Sequence, residues 1–391
     1  MEQIYFDHSA TTPLDPRVVD AMLPLYGDNF GNPSSLHWAG QNAKQSVDEG
    51  RRQVAELFHA QPDEIVFTAS GTESDNMALV GVAGLYAPQD CHVVTSSFEH
   101  PAILETCKYL ERLGYAVSYL PVTPEGIVDP ESLVRALRPK TRLVSIMAAN
   151  NVIGTLQPIA ELAQITKAHG ALFHTDAVQA VGKIPLHVDK MPIDFLALSA
   201  HKLHGPKGIG ALYIRQGVKI EPLVHGGGQE RGIRSATENV AAIAGLGKAA
   251  EIAGAEMSAE ANRLVQLRDR IIAEVSERIP NAYLIGHRYK RLPGHICLGF
   301  AGQEGEAIHL MLALNEAGIA ISTGSACSAH HAGQPSYILT AMGFDPIRAR
   351  GSLRITLGRF NTDAEVDRFL EVLPGLVGDL RPVTSRSFAV A

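Results

Sequence analysis

The chain has 391 residues, 46% hydrophobic and 19% charged, enough to bury a large core, and its length suggests about two to three folding units, one large and one small. A net charge of −7 gives no basic footprint for nucleic acid or an anionic lipid surface, which leaves small molecules and proteins as partners. Cys91, Cys107, Cys297 and Cys327 show no Cys-x-x-Cys pairing, and the opening residues hold acids and no long apolar run, so a cytoplasmic protein without signal peptide or membrane anchor is expected.

Taken in order, a strand at Gln3 to Phe6 runs into the polar loop Asp7 to Pro13, and a helix starts at Pro16. The turn Asn32-Pro33-Ser34-Ser35 precedes a helix expected over Ala39 to Phe58. Glu64 to Phe67 reads as a strand, and Thr68 to Ser74 turns from it into a helix reaching about Leu85. A strand, a small-residue turn and a helix start make an anion site, because free backbone N–H groups and the helix dipole face the same point. Gly71 lets the backbone approach and Thr72 adds a hydroxyl; an ordinary N-cap at Ser70 or Thr72 is the alternative.

The strand His92 to Thr95 delivers His100 towards the edge where α/β sheets bind ligands. Strands at Arg142 to Met147 and Leu172 to His174 deliver Asn151, then Asp176 and Gln179, at their carboxyl ends. This pattern predicts a mostly parallel sheet with helices on both faces. Asp176 after a buried strand calls for a specific partner, either a pyridinium nitrogen or a helix N-terminus.

The strand Asp194 to Leu198 leads into SAHKLHGPKGIG, residues 199–210, which puts Lys202 at the end of a core strand between Ser199, His201 and a glycine-rich loop. A lysine there is either partly exposed on the loop or suited to a Schiff base with a carbonyl cofactor. Residues 223–237, LVHGGGQERGIRSAT, are too long and glycine-rich for plain chain reversal. A helical region from Glu238 to about Arg278 follows, with Ala249 to Gln266 as a bridge between domains. Beyond it come His295 to Phe300, a helix at Glu306 to Ala317, and Ile319 to Ile321. Cys327 lies in the small, polar stretch Ser322 to Ala329, where a thiolate would be exposed and nucleophilic. Ser352 to Phe360 alternates as a half-buried strand would, with Arg354 opposite Leu353 and Ile355, as a carboxylate clamp or a surface arginine.

In combination, FDHSATTPLDP, ASGTESDN, EHPAIL, ANNVIGT, TDAVQAVGK, SAHKLHGPKGIGALY, HGGGQERGIRSAT, STGSACS and LRITLGRFNT make the chain resemble, nearly end to end, the NifS/IscS-like cysteine desulfurases. These are fold type I enzymes that use pyridoxal 5'-phosphate. The resemblance implies an α/β fold with a mostly parallel seven-stranded sheet in a large domain over 11–255. A smaller α+β domain of 1–10 and 256–391 would carry the cysteine loop. It implies Lys202 as the cofactor lysine, Asp176 on the pyridinium nitrogen, Gln179 on the ring hydroxyl and His100 stacked on the ring. Gly71, Thr72, Ser199 and His201 would hold the phosphate, joined by Thr237 of a second subunit, so a homodimer is implied. Asn32, Asn151 and Arg354 would fix the carboxylate of L-cysteine, with Asn151 also at the cofactor, and Cys327 would accept the sulfur as a persulfide. An iron-sulfur scaffold or a thiolation enzyme would then take it.

Two stretches depart from the family. The pair His330-His331 after Cys327 would lower the thiol pKa or trap a metal, but Cys-x-x-His-His is not a complete zinc motif and no metal is expected there. The tail from Arg381 to Phe388 lacks the ending by which housekeeping members engage an iron-sulfur scaffold. The competing activities are a pyridoxal-dependent carbon-sulfur lyase, which needs no Cys327, and selenocysteine lyase. A non-catalytic binding protein on the same fold is the reading from another class.

Overall fold

A computed structural model of the chain describes residues 3–324 and 334–380; Cys327, His330, His331 and the tail from 381 lie outside them. The N-terminal part runs β1 (Ile4–Tyr5), α1 (Pro16–Met22), α2 (Trp38–Phe58), β2 (Ile65–Thr68), α3 (Gly71–Ala83), β3 (His92–Ser96), α4 (Pro101–Arg112), β4 (Ala116–Leu120) and α5 (Pro130–Ala136). It continues through β5 (Thr141–Ser145), α6 (Ile159–His169), β6 (Leu172–Asp176), β7 (Phe195–Ser199) and β8 (Gly210–Ile214). After α7 (Val240–Arg278) come β9 (Ala282–Leu284), β10 (His295–Phe300), α8 (Ala307–Glu316), β11 (Ile319–Ala320), β12 (Ser322–Thr323), α9 (Tyr337–Ala341), β13 (Leu353–Thr356) and α10 (Asp363–Asp379).

Seven strands form one sheet in the order β2-β8-β7-β6-β5-β3-β4, in which only β8 runs antiparallel to its neighbours. Side chains of a strand alternate between faces, and here both faces are covered. Phe195 and Ala197 of β7 enter one apolar cluster with α3 and α4, whereas Leu196 and Leu198 enter another with α2 and α7. Short caps fix where the helices start: Asp15 accepts from the Arg17 amide, Ser70 from that of Glu73, and Thr362 pairs reciprocally with Glu365.

A second sheet, β12-β13-β10-β9, is antiparallel and packs against α8, α10 and the far half of α7. The 39 residues of α7 span about 58 Å at 1.5 Å per residue. Ile243, Leu246 and Ala253 belong to the core of the large sheet, and Leu267, Ile271 and Val275 to that of the small one. Strand β13 differs from the expected half-buried strand: all four residues are buried. Asp7 pairs with the end of β13 at Thr356, and the Arg354 side chain is enclosed by Asp7 and the Asn151 carbonyl, so Arg354 is an interior residue and not a surface one.

Candidate active site

Gly71, Thr72, His100, Asn151, Asp176, Gln179, Ser199, His201, Lys202 and Arg354 all line one cleft of about 530 Å³. It lies at the carboxyl ends of β5, β6 and β7, where each strand hands its last polar residues to a turn. Lys202 closes a single 3-10 turn directly after β7, and its Nζ donates to the carbonyls of Ser9 at 2.6 Å and Ala10 at 2.7 Å. The lysine is half-buried and is satisfied by the N-terminal segment, an arrangement its own neighbourhood in sequence does not foretell.

At one end of the cleft, α3 begins at Gly71 with Ser70 as its cap. A side chain at Gly71 would meet Val178 Cγ2 at 2.5 Å, so only glycine lets this turn lie against the loop after β6. Thr72, Ser199 and His201 surround the same end. Burial, with Lys202, Lys207 and Lys183 nearby, lowers His201 to about 4, so it is a neutral imidazole; its Nδ1 lies 3.1 Å from Thr11 Oγ1.

In the same cleft Asp176 is buried, and its Oδ1 accepts the Val178 amide at 2.9 Å. Burial raises its pKa, opposed by His100, the Val178 amide and Lys202. His100 caps α4 by accepting the Ala102 amide at 3.2 Å; burial lowers its pKa, while Asp176 pulls it up and Lys202 pushes it further down. Gln179 donates to Ser9 O at 2.9 Å and accepts from Lys183 at 3.4 Å. On the wall opposite the large sheet, the Arg354 guanidinium donates to Asp7 at 2.9 Å and to Asn151 O at 3.2 Å, and Ser322 pins the other Asp7 oxygen at 2.7 Å.

Four neighbours of the site escape a reading of the sequence. Asp75 is fully buried one turn after Gly71, and burial, Asp176 and Glu99 together hold its carboxyl well above the usual range. Its spacing of four from Gly71 on a helix places it on the face turned to the cleft, a signal that was available. Glu99, beside His100, accepts from Ser96 Oγ and the Met147 amide and is pushed up to about 8, chiefly by burial. Lys183, four residues after Gln179, is lowered to about 7 by burial and by Lys202. Asp7 belongs to the opening loop and reaches Arg354 only through the fold.

Two expected residues stay outside the cleft of the single chain. Asn32 is exposed and accepts the Ser34 amide at 2.9 Å, and Thr237 is exposed ahead of α7. The loop before Thr237 does reach the start of α3, where Arg234 pairs with Glu73 at 2.7 Å.

A helix N-terminus, hydroxyls, a neutral imidazole, a lysine and a buried carboxylate lining one cleft fit an aromatic aldehyde with a phosphate and a basic ring nitrogen. Asp176 supplies the decisive test, because a carboxylate whose ionised form burial disfavours gains most from a bound cation. The family model for class-V aminotransferases matches residues 4–369, and the chain belongs to that family. Among its relatives is the cysteine desulfurase IscS of Dictyoglomus turgidum, 49% identical over 382 residues, which are 98% of this chain and 96% of the relative. A solved NifS-like protein superposes with a TM-score of 0.90 at 40% identity, covering 97% of this chain and all of the other. A structure of SspA in complex with cysteine superposes with a TM-score of 0.82 at 35% identity, covering 92% of this chain and all of the other. Within the class-V family, its homologues are thus cysteine desulfurases of the IscS/NifS kind. No described helix is long and apolar enough to cross a membrane.

Proposed function

We propose that the protein is a pyridoxal-phosphate-dependent cysteine desulfurase, converting L-cysteine to L-alanine and passing the sulfur through a persulfide on Cys327 to an acceptor. The observation that carries this reading is the meeting of Lys202, Asp176, His100 and Arg354 in one cleft. When bound, the cofactor supplies an aldehyde for amines and a ring that stores electrons. Asp176 would hold the ring nitrogen protonated, Gln179 would face the ring hydroxyl, and His100 would stack on the ring. The Gly71 turn, Thr72, Ser199 and His201 would bind the phosphate, with Thr237 arriving from a second copy in a homodimer.

Arg354, Asn151 and Asn32 would grip the substrate carboxylate. Lys202, released from the carbonyls of Ser9 and Ala10, has an amine able to take the α-proton and return one. The Cys327 thiolate would attack the substrate sulfur: the S–S bond forms as the C–S bond breaks, the electron pair stays on carbon, and a proton completes alanine. His100, whose pKa burial lowers, would accept the thiol proton. The division into a large domain over 11–255 and a small one of 1–10 and 256–391 is supported by the separate apolar cluster around β10, β13 and α10. A cytoplasmic location and an iron-sulfur scaffold or thiolation enzyme as acceptor belong to the same proposal, with the likeness to proteins named cysteine desulfurase IscS as their support.

The test is alanine formation from cysteine by wild type and Cys327→Ala, with the cofactor absorbance recorded. Loss of alanine in the variant with the cofactor retained is the expected result. Pyruvate in place of alanine, or full activity in the variant, would mean a carbon-sulfur lyase instead.

A further inference from the structure

At the opposite edge of the large sheet, away from the cleft, the loop joining β6 to β7 returns past the end of α2. The Val188 amide donates to Phe58 O at 3.1 Å, and Arg215 holds Val188 O at 2.8 Å, so residues 187–189 are fastened beside His59. His59 ends α2 in the left-handed conformation, with φ 59°, and its ring meets that of His187 edge to face at 4.3 Å between centroids. Asp189 completes the group: one donor atom from each of His59, His187 and Asp189 lies within 4.8 Å of the others. We infer that these three side chains form a binding site for zinc, which clips the β6–β7 loop to the end of α2.

The donor set is the first argument. Two imidazoles and a carboxylate suit zinc, and three protein ligands leave a fourth position for water. Zinc-bound nitrogens at about 2.1 Å from the metal stand roughly 3.4 Å apart in a tetrahedron. Closing from 4.8 Å asks only for side-chain rotation, which the exposed His59 and Asp189 allow.

The second argument is a buried polar atom. Nδ1 of His187 is shut off from water and has no hydrogen-bond partner among the described residues. An orphaned imidazole nitrogen carries a desolvation cost that a metal on that nitrogen removes. Local charge points the same way. The site sits at the negative end of the α2 dipole, beside a hollow lined by Glu56 and Glu251, which pair with Arg52 and Lys248.

The experiment titrates the full-length, cofactor-loaded protein with zinc chloride by calorimetry and with cobalt(II) by visible absorption. Every sample carries Cys327→Ala, so that no thiolate of the sulfur-acceptor loop competes. One zinc per chain is expected, with a thermal midpoint that rises with zinc and cobalt bands free of thiolate charge transfer. His59→Ala and Asp189→Asn each weaken binding at least about tenfold, the scale on which even outer partners of a ligand act. Both residues are exposed, so these variants keep the fold and stand independently of His187→Ala. Absence of zinc binding overturns the site, and so does binding unchanged in His59→Ala and Asp189→Asn.

Discussion

The two sheets each send one buried charge into the cleft, and they treat it in opposite ways. Asp176, at the end of β6, is 6% exposed, and burial works against its ionised form with only His100, Lys202 and one amide to offset it. Arg354, on β13, is 3% exposed and already paired with Asp7, which Ser322 holds from the other side. The large sheet therefore presents a charge that gains from a ligand, whereas the small sheet presents one that a ligand must share. Under the proposed role of Arg354, an incoming carboxylate would compete with Asp7 for the guanidinium, and part of its binding energy would go into displacing or rearranging a pair inside the chain.

The sharpest way to break this contrast is at Asp176. Asp176→Ala is expected to lower kcat/KM for cysteine by about a hundred- to a thousandfold, the scale for removing one preorganised electrostatic partner, and to shift the absorbance of the bound cofactor. Activity within tenfold of wild type would mean that the carboxylate serves only the fold.

Next in size is Arg354→Ala, which removes a buried side chain and leaves the half-buried Asp7 with the Ser322 hydroxyl alone among the described residues, and is expected to cost about 2–3 kcal/mol in urea unfolding. Arg354→Lys keeps the charge but not the fork, and its KM for cysteine should rise roughly tenfold with kcat little changed. Asp7→Asn works from the other partner. It removes the competing anion, so KM should fall by about threefold, a difference of less than 1.4 kcal/mol, while the thermal midpoint also falls. A rise in KM would show that Asp7 orients the arginine and does not compete with substrate.

The smallest expected effect concerns Glu99, on the side of the large sheet. Its carboxyl titrates near 8 in the folded chain against an ordinary 4.5, so the native state holds an extra proton between those values. That contribution to stability is complete below 4.5 and is lost as pH rises through 8. Glu99→Gln should flatten the decline of the thermal midpoint between pH 5 and 9 by roughly 2–4 °C. An unchanged slope would place the ionised form of Glu99 in the native state.

Much of the large-sheet side of the cleft was legible because its chemistry is local. Asp176 ends one short buried strand and Lys202 follows another, and Gly71 opens a helix beside a capping serine. The bounds were close as well: the helix expected from Ala39 begins at Trp38, and the one expected to reach about Leu85 stops at Ala83. The edge strand β4 gave little signal because it is half exposed, and its apolar alternation is correspondingly weak. Expecting an exposed face on β13 failed for a physical reason. The groups that enclose Arg354, Asp7 and the Asn151 carbonyl, are distant in sequence, and alternation cannot reveal such partners. Lys183 was missed because a buried charge next to a recognised motif looks, in sequence, like any polar residue, whereas Asp75 was marked by its helical spacing from Gly71. Asn32 and Thr237 rest on the family resemblance, and a single chain does not bring them to the cleft.

The opening loop has a consequence for the order of events at the ribosome. The Ser9 amide donates to Thr356 Oγ1 across 347 residues, and the carbonyls of Ser9 and Ala10 are the ones that hold Lys202. Strands β2 to β8 can pair as they emerge, but the collar around the lysine waits for β13, made long after the lysine itself. A nascent chain halted before β13 therefore has the lysine without the Thr356 hydroxyl that anchors its collar, and under the proposed role of Lys202 a cofactor would meet the finished collar only late in the life of the polypeptide.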